Sequence, residues 1–410
     1  MRRLFKNSLF ANKNFSFFFF GQSFSTIGDG FQQIALIYLI FDMGGSGSEM
    51  ALSQFSLVFP RILLLLVGGV AVDRLSAKQV IWISDFVRFT IMAALISFLA
   101  FDSLSFPLLY LLLALSGVAS GFFYPAFNAI VPSVVETKDL EKANAWVQSI
   151  SQTAIFVGPP LAGLVVGLYG VEAGFIVNAL SYLIGAVTGI LVSVNTGITA
   201  KMKKSRLVAD FLEGFQQVWN TKWLRTVLLV DLIGGLAVVG PMQIALPLYS
   251  KTSFGLEPSQ MGFTLAAFGA GSVLGMILVT RLKPKFKTLQ AFYFLETLQG
   301  LLLFFVAVPS LWVVILSLTA IGVLNGISGV IVISKIQVNV PGHRLGRTMS
   351  IVSLAAFGAV PISQLLTGWL SDTIPYALVF VLASTLLFLS GVMGLIVYFR
   401  QSSEDEESVV

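Results

Sequence analysis

The chain has 410 residues, 56% of them apolar and 11% charged, with 36 phenylalanines, no cysteine and a single histidine, His343. A mean hydropathy of +0.89 and recurrent long apolar runs exclude a soluble fold and indicate a polytopic helical membrane protein. The lack of cysteine excludes disulfides and thiolate metal sites, one histidine leaves no histidine-based catalytic constellation, and the net charge of +5 is spread over short loops rather than forming a nucleic-acid patch.

Taken in order, the apolar runs predict about twelve spans: 15–41, 49–72, 79–101, 106–131, 143–169, 172–194, 223–249, 258–280, 286–308, 311–338, 347–371 and 375–399. The basic N-terminus MRRLFKNSLFANKNF resembles the start of a signal peptide. The apolar run nevertheless continues to Phe41 without a small-residue cleavage site, which predicts an uncleaved first helix. That first span carries Asp29 in its middle, with Gln22, Gln32 and Gln33 nearby. At ~1.5 Å per residue Asp29 lies ~21 Å from the inner end, near the centre of ~30 Å of hydrocarbon. An unpaired carboxylate there costs at least ~2.5 kcal/mol. Asp29 is therefore expected to be protonated, paired or facing water, each of which suggests a transport site.

In the second span Arg61 follows Pro60 and lies ~17 Å from the inner end, a depth close to that of Asp29. Asp29 and Arg61 are thus the predicted coupling pair for proton or substrate, with a static ion pair as the alternative. Asp85 and Arg88 lie three apart on one face of the third span and are expected to be structural or linked to a cytoplasmic gate. No charged residue falls between Phe106 and Val135, and Gly117 and Gly121 carry small-x3-small packing spacing. Gly158, Pro159 and Pro160 interrupt the amide ladder of the fifth span and remove side-chain bulk, which predicts a kink and a close helix approach. Asp231 and Glu296 are weaker candidates.

The connection from Asn195 to Thr221 carries the basic run KMKKSR and the amphipathic stretch LVADFLEGFQQVW, separating six spans from six. Gln33-Ile34-Ala35-Leu36 recurs as Gln243-Ile244-Ala245-Leu246, and Val72-Asp73-Arg74-Leu75 as Val279-Thr280-Arg281-Leu282. Two parallel six-helix repeats follow. The expected organisation is a bundle over 1–194, a cytoplasmic linker over 195–222, a second bundle over 223–400 and a disordered acidic tail over 401–410. If both termini are cytoplasmic, nearly all lysines and arginines outside the spans lie inside, and only Lys251 lies outside, so the positive-inside rule sets the orientation.

These residues resemble the major facilitator superfamily, in particular its macrolide-efflux and enterobactin-exporter-like branch. The likeness rests on Gly69, Asp73, Arg74 and Lys78 between spans two and three, and on the antiporter pattern at Gly158, Pro159 and Gly163 in span five. It extends to Tyr124-Pro125-Ala126 with Pro132, and to the Leu345-Gly346-Arg347 loop. The resemblance implies two pseudo-symmetric six-helix bundles and a cytoplasmic gate in which Asp73 meets the start of span eleven near Arg347. It also implies a substrate cavity on spans carrying Phe31, Tyr38, Phe123, Tyr124, Trp146 and Tyr249. The arginine that many proton-coupled exporters carry in span four is absent. No Walker pattern occurs, so ATP is not the expected driver.

The resulting expectation is a secondary transporter, not an enzyme, exporting an amphipathic small molecule by alternating access with proton antiport. A lipid or lysolipid flippase, a nutrient importer and a non-transporting receptor are the alternatives. The transporter is expected in a bacterial cytoplasmic membrane with both termini cytoplasmic. It should act as a monomer, with the proton gradient as driver, no cofactor, and a small molecule and the lipid bilayer as its partners.

Overall fold

The computed structural model describes residues 9–193, 207–283, 286 and 288–407; within these, the side chains of 65–74, 137, 151, 152, 155, 207–213, 342, 343 and 401–407 are not described. The described residues form helices and short connections, with no strand among them. In chain order the helices are α1 (Lys13–Asp42), α2 (Gly47–Arg74), α3 (Ala77–Ala100), α4 (Phe106–Val134), α5 (Leu140–Tyr169) and α6 (Val171–Leu191). They continue with α7 (Leu207–Asn220), α8 (Lys222–Gly240), α9 (Leu246–Phe254), α10 (Pro258–Arg281), α11 (Leu289–Val306), α12 (Leu311–Asn339), α13 (Gly342–Thr373) and α14 (Tyr376–Glu407). Among the described residues ten helices are long and apolar enough to cross a membrane, and α5 adds the shorter apolar stretch Phe156–Tyr169. With the 28 residues of α2, ~42 Å of helix, the predicted all-α architecture of twelve spans is observed.

Local chemistry explains the boundaries. The side chain of Asn12 caps α1 by accepting from the Asn14 and Phe15 amides, and its own amide nitrogen donates to Val134 O at the end of α4 (2.8 Å). A capping box between Ser76 and Gln79 starts α3. Between α5 and α6 only Gly170 intervenes, at φ +88, a backbone conformation that a side chain would strain. The seventh span is interrupted: α8 passes through a π-helical segment, Pro241–Ala245, into α9. Pro241 supplies no amide hydrogen there, and Ser363 on α13 accepts from the Gly240 amide at 2.7 Å.

Two compact units appear, one of Met1–Lys201 with Leu256–Ala266 and one of Met202–Gly255 with Ala267–Val410. The first has a core of Phe15, Phe18, Phe123, Phe127 and Ile130 with their neighbours. The second is built around Val227, Phe292, Tyr293, Ile331 and Ile336. Its core includes Val218 of α7, and Gly214 of α7 lies against Arg347 on α13. The amphipathic part of the predicted linker is therefore a helix docked on the second unit, while 195–206 lies outside the described residues. The acidic tail departs from expectation, since α14 continues to Glu407. A run rich in glutamate, a good helix former, can extend a helix that is already nucleated.

Small residues let helix backbones meet inside each unit. A Cβ on Gly117 would sit 2.3 Å from Leu57 O, and one on Gly121 3.0 Å from Arg61 O, so α4 rests directly on α2. In the second unit Gly271 and Gly275 of α10 face Thr319 O and Val323 O of α12 at 2.2 and 2.1 Å, and Gly322 and Gly326 return the contact to α10. Apolar surface gives little driving force in lipid, so such close packing carries much of the association. Gly117→Val is expected to lower the thermal unfolding midpoint of the purified protein, with a loss of about 1–3 kcal/mol from overpacking. Gly358→Ala, where nothing lies within 4 Å of the added atom, should leave the midpoint unchanged in the same assay.

Candidate functional site

Three helices of the first unit, α1, α3 and α6, converge on a polar cluster. Glycines make the approach possible. A Cβ on Gly28 of α1 would lie 2.0 Å from Ser181 Oγ, and one on Gly21 1.8 Å from Thr188 Oγ1, both on α6. Further along the same face of α6, a Cβ on Gly185 would lie 2.7 Å from Asp85 Oδ2, so the missing side chain is the space the carboxylate occupies.

Asp85 is fully buried and Arg88 is 2% exposed. Arg88 Nη2 forms an ion pair with Asp85 Oδ1, and Gln22 Nε2 donates to Asp85 Oδ2 at 3.1 Å. The Arg88 guanidinium also lies between two aromatic faces, 4.3 Å from the Phe123 centroid and 4.4 Å from that of Tyr182. This placement combines cation–π attraction with exclusion of solvent. From Tyr182 the network continues: its hydroxyl donates to Asp29 Oδ1 at 2.7 Å and lies 3.3 Å from Gln32 Oε1. Gln32 Oε1 also accepts from Asn178 Nδ2 at 3.0 Å. Two of the three predicted glutamines, Gln22 and Gln32, are thus buried members of one network of contacts that includes Asp85 and Asp29.

The structure keeps one predicted pair and separates the other. Arg61 is not ion-paired with Asp29; its guanidinium lies 5.5 Å from the Tyr124 centroid. Gly121 lets the Arg61 backbone come close to α4, the helix that carries Tyr124. Asp85 and Arg88, expected to be structural or linked to a cytoplasmic gate, form an ion pair buried in the interior of the unit. Tyr182 and Asn178 were not anticipated from the sequence. Their signal was present, since Asn178, Ser181, Tyr182 and Gly185 recur at helical spacing along one face of an otherwise apolar span.

The other candidates are placed as follows. Phe31 and Tyr38 are buried in the first unit, where Tyr38 donates to Leu256 O at 2.6 Å, whereas Gln33 is only partly covered. Trp146 is exposed and packs edge-on against Phe10 and Phe19. In the second unit Tyr249 is buried and donates to Ala307 O at 3.1 Å. Helix α5 runs through Pro159 and Pro160 without a break, and a Cβ on Gly158 would lie 3.3 Å from Gly30 Cα on α1. Gly163 lies against the backbone of Pro258 and Ser259. Lys78 is in the first turn of α3; the side chains of Asp73 and Arg74 and the surroundings of Gly69 lie outside the described residues. Glu296 is buried and accepts from Gln299 Nε2 at 2.9 Å, so α11 presents it to the interior of the second unit.

The family model described as Major Facilitator Superfamily matches residues 18–360. The chain belongs to that superfamily. It is a multi-pass membrane transporter of small molecules, and it is not an enzyme. Among curated relatives, the multidrug efflux pump Tap of Mycolicibacterium fortuitum is 24% identical over 383 residues, covering 90% of this chain and 91% of its own. Macrolide efflux protein A of Streptococcus pyogenes is 25% identical over 380 residues, with the same coverage of 90% and 91%. Solved structures share the fold. The nucleoside transporter NupG matches with a TM-score of 0.74 at 13% identity, covering 94% of this chain and 99% of its own. A bacterial homologue of the iron transporter ferroportin in an inward-facing state matches with a TM-score of 0.71 at 18% identity, covering 97% and 100%.

The two arginines of this transporter should separate in a stability measurement. Arg88→Ala leaves Asp85 buried without its counter-charge, a change typically worth about 3–5 kcal/mol. Arg61→Ala removes a partly exposed cation–π contact worth about 0.5–1 kcal/mol. Thermal unfolding in detergent should show a large drop for the first variant and a small one for the second.

Proposed function

We propose that this transporter exports an amphipathic small molecule, of the drug or macrolide class, across a bacterial cytoplasmic membrane in exchange for protons. The two six-helix halves would open a path alternately to either side. The observation that carries the reading is Asp29, a carboxyl group at mid-span depth whose hydrogen-bond partner is the Tyr182 hydroxyl. A carboxylate at that depth is unfavourable unless it is protonated or paired, so its charge state can be tied to which side is open. Support for export comes from the relatives named as a multidrug efflux pump and a macrolide efflux protein. The bias of basic residues supports both termini on the cytoplasmic side. We read the protein as a monomer that needs no cofactor beyond the proton gradient.

Proton binding can be accommodated within the network. When Asp29 is ionised, the Tyr182 hydroxyl donates to it. When Asp29 is protonated, its O–H can donate to the Tyr182 oxygen, and the hydroxyl hydrogen can turn to Gln32 Oε1, which already lies within reach. Loading and unloading therefore leave no buried oxygen of the Asp29–Tyr182 pair stranded. Substrate entering from the inner side would favour loss of the proton inward, and release outside would favour its uptake.

Asp29→Asn is expected to abolish pH-gradient-driven accumulation of a fluorescent hydrophobic cation or a macrolide in inverted vesicles, while exchange of the same compound down its own gradient persists. Gradient-driven accumulation at the wild-type rate in that variant would rule out Asp29 as the coupling group. Gly158→Leu should leave the protein in the membrane but halt both modes, because the added side chain meets the α1 backbone at Gly30. Western blotting of membranes alongside flux separates loss of movement from loss of protein.

A further inference from the structure

We infer that Asp85 and Arg88 set the proton count of the site: one guanidinium serves two carboxylates, Asp85 and Asp29, so the cluster is neutral only when Asp29 holds a proton. This rests on the reading of Asp29 as the coupling group and adds which residues impose the requirement.

The charged and titratable groups around Asp29 are few. Helix α3 presents Asp85 and Arg88, α6 presents Tyr182, α2 carries Arg61, which is turned to Tyr124 of α4, and α5 meets α1 at Gly158. With both carboxylates ionised, Arg88 leaves one negative charge in excess inside a low-dielectric helix bundle. The excess is removed by one proton taken from water, which forms an O–H bond on a carboxylate oxygen.

Geometry decides which carboxylate receives it. Asp85 holds the guanidinium directly and also accepts from Gln22 Nε2, so both of its oxygens are matched to donors. Asp29 has the Tyr182 hydroxyl, which can reverse its role and accept. Arg88 retains an unused donor, because its buried Nε has no hydrogen-bond partner among the described residues. The guanidinium could therefore satisfy a second carboxylate if Asp85 no longer claimed it. The Tyr182 ring lies against the guanidinium while its hydroxyl donates to Asp29 Oδ1, and Phe123 closes the other side, so the cation and the second acid share one tyrosine.

The charge count makes a prediction that a purely structural role for Asp85 does not. Infrared spectra of the purified protein in lipid nanodiscs would be recorded for the C=O stretch of protonated carboxyl groups at neutral pH. Part of that band should vanish in Asp29→Asn, and the same part should vanish in Asp85→Asn, since Arg88 then neutralises Asp29 without a proton. The double variant Asp85→Asn with Arg88→Gln removes the ion pair as a unit, leaves Asp29 without a cation and should regain the band. It remains informative if Asp85→Asn does not fold. Retention of the band in Asp85→Asn, or its absence in the double variant, overturns the inference while leaving Asp29 as proton carrier. An unchanged band in Asp29→Asn instead removes the reading on which it rests.

Discussion

The interior of the first unit depends on placing a guanidinium where no water reaches it. Arg88 is matched by Asp85, by two aromatic faces and, through Asp85, by Gln22. A charge at that depth without such matching would be costly enough to disfavour the fold. The pair therefore constrains three helices together. Helix α3 brings both charges, α6 must offer Gly185 to clear the carboxylate, and α1 must turn Gln22 toward it.

This constraint links packing to chemistry. The glycines of α1 at 21 and 28 draw α6 close enough for Tyr182 to reach Asp29, and the same approach stacks the Tyr182 ring on Arg88. One tyrosine thus touches the cation with its face and the carboxyl with its hydroxyl. The second unit also buries a carboxyl group. This one, Glu296, is met by the neutral amide of Gln299.

Glycine pairs recur in both units with a different purpose. Gly117 and Gly121 seat α4 on α2, while Gly271, Gly275, Gly322 and Gly326 interlock α10 with α12. In lipid these contacts substitute for the hydrophobic effect that would assemble a soluble bundle.

The sequence by itself determined the class, the count of spans and the family. Apolar length, the bias of basic residues and motif order are local or periodic properties, and each survives without knowing how helices turn. It also singled out Asp29, Asp85 and Arg88, because charge inside an apolar run is conspicuous whatever surrounds it. The partners were decided only by tertiary structure. Depth alone paired Arg61 with Asp29, and nothing in a linear pattern states which faces of α1, α3 and α6 meet. Helix rotation and glycine contacts fix that, and they bring Tyr182, more than 150 residues away in the chain, to the carboxyl group. The interrupted seventh span and the helical acidic tail were likewise beyond reach of periodicity, since one depends on Ser363 from another helix and the other on a helix already formed.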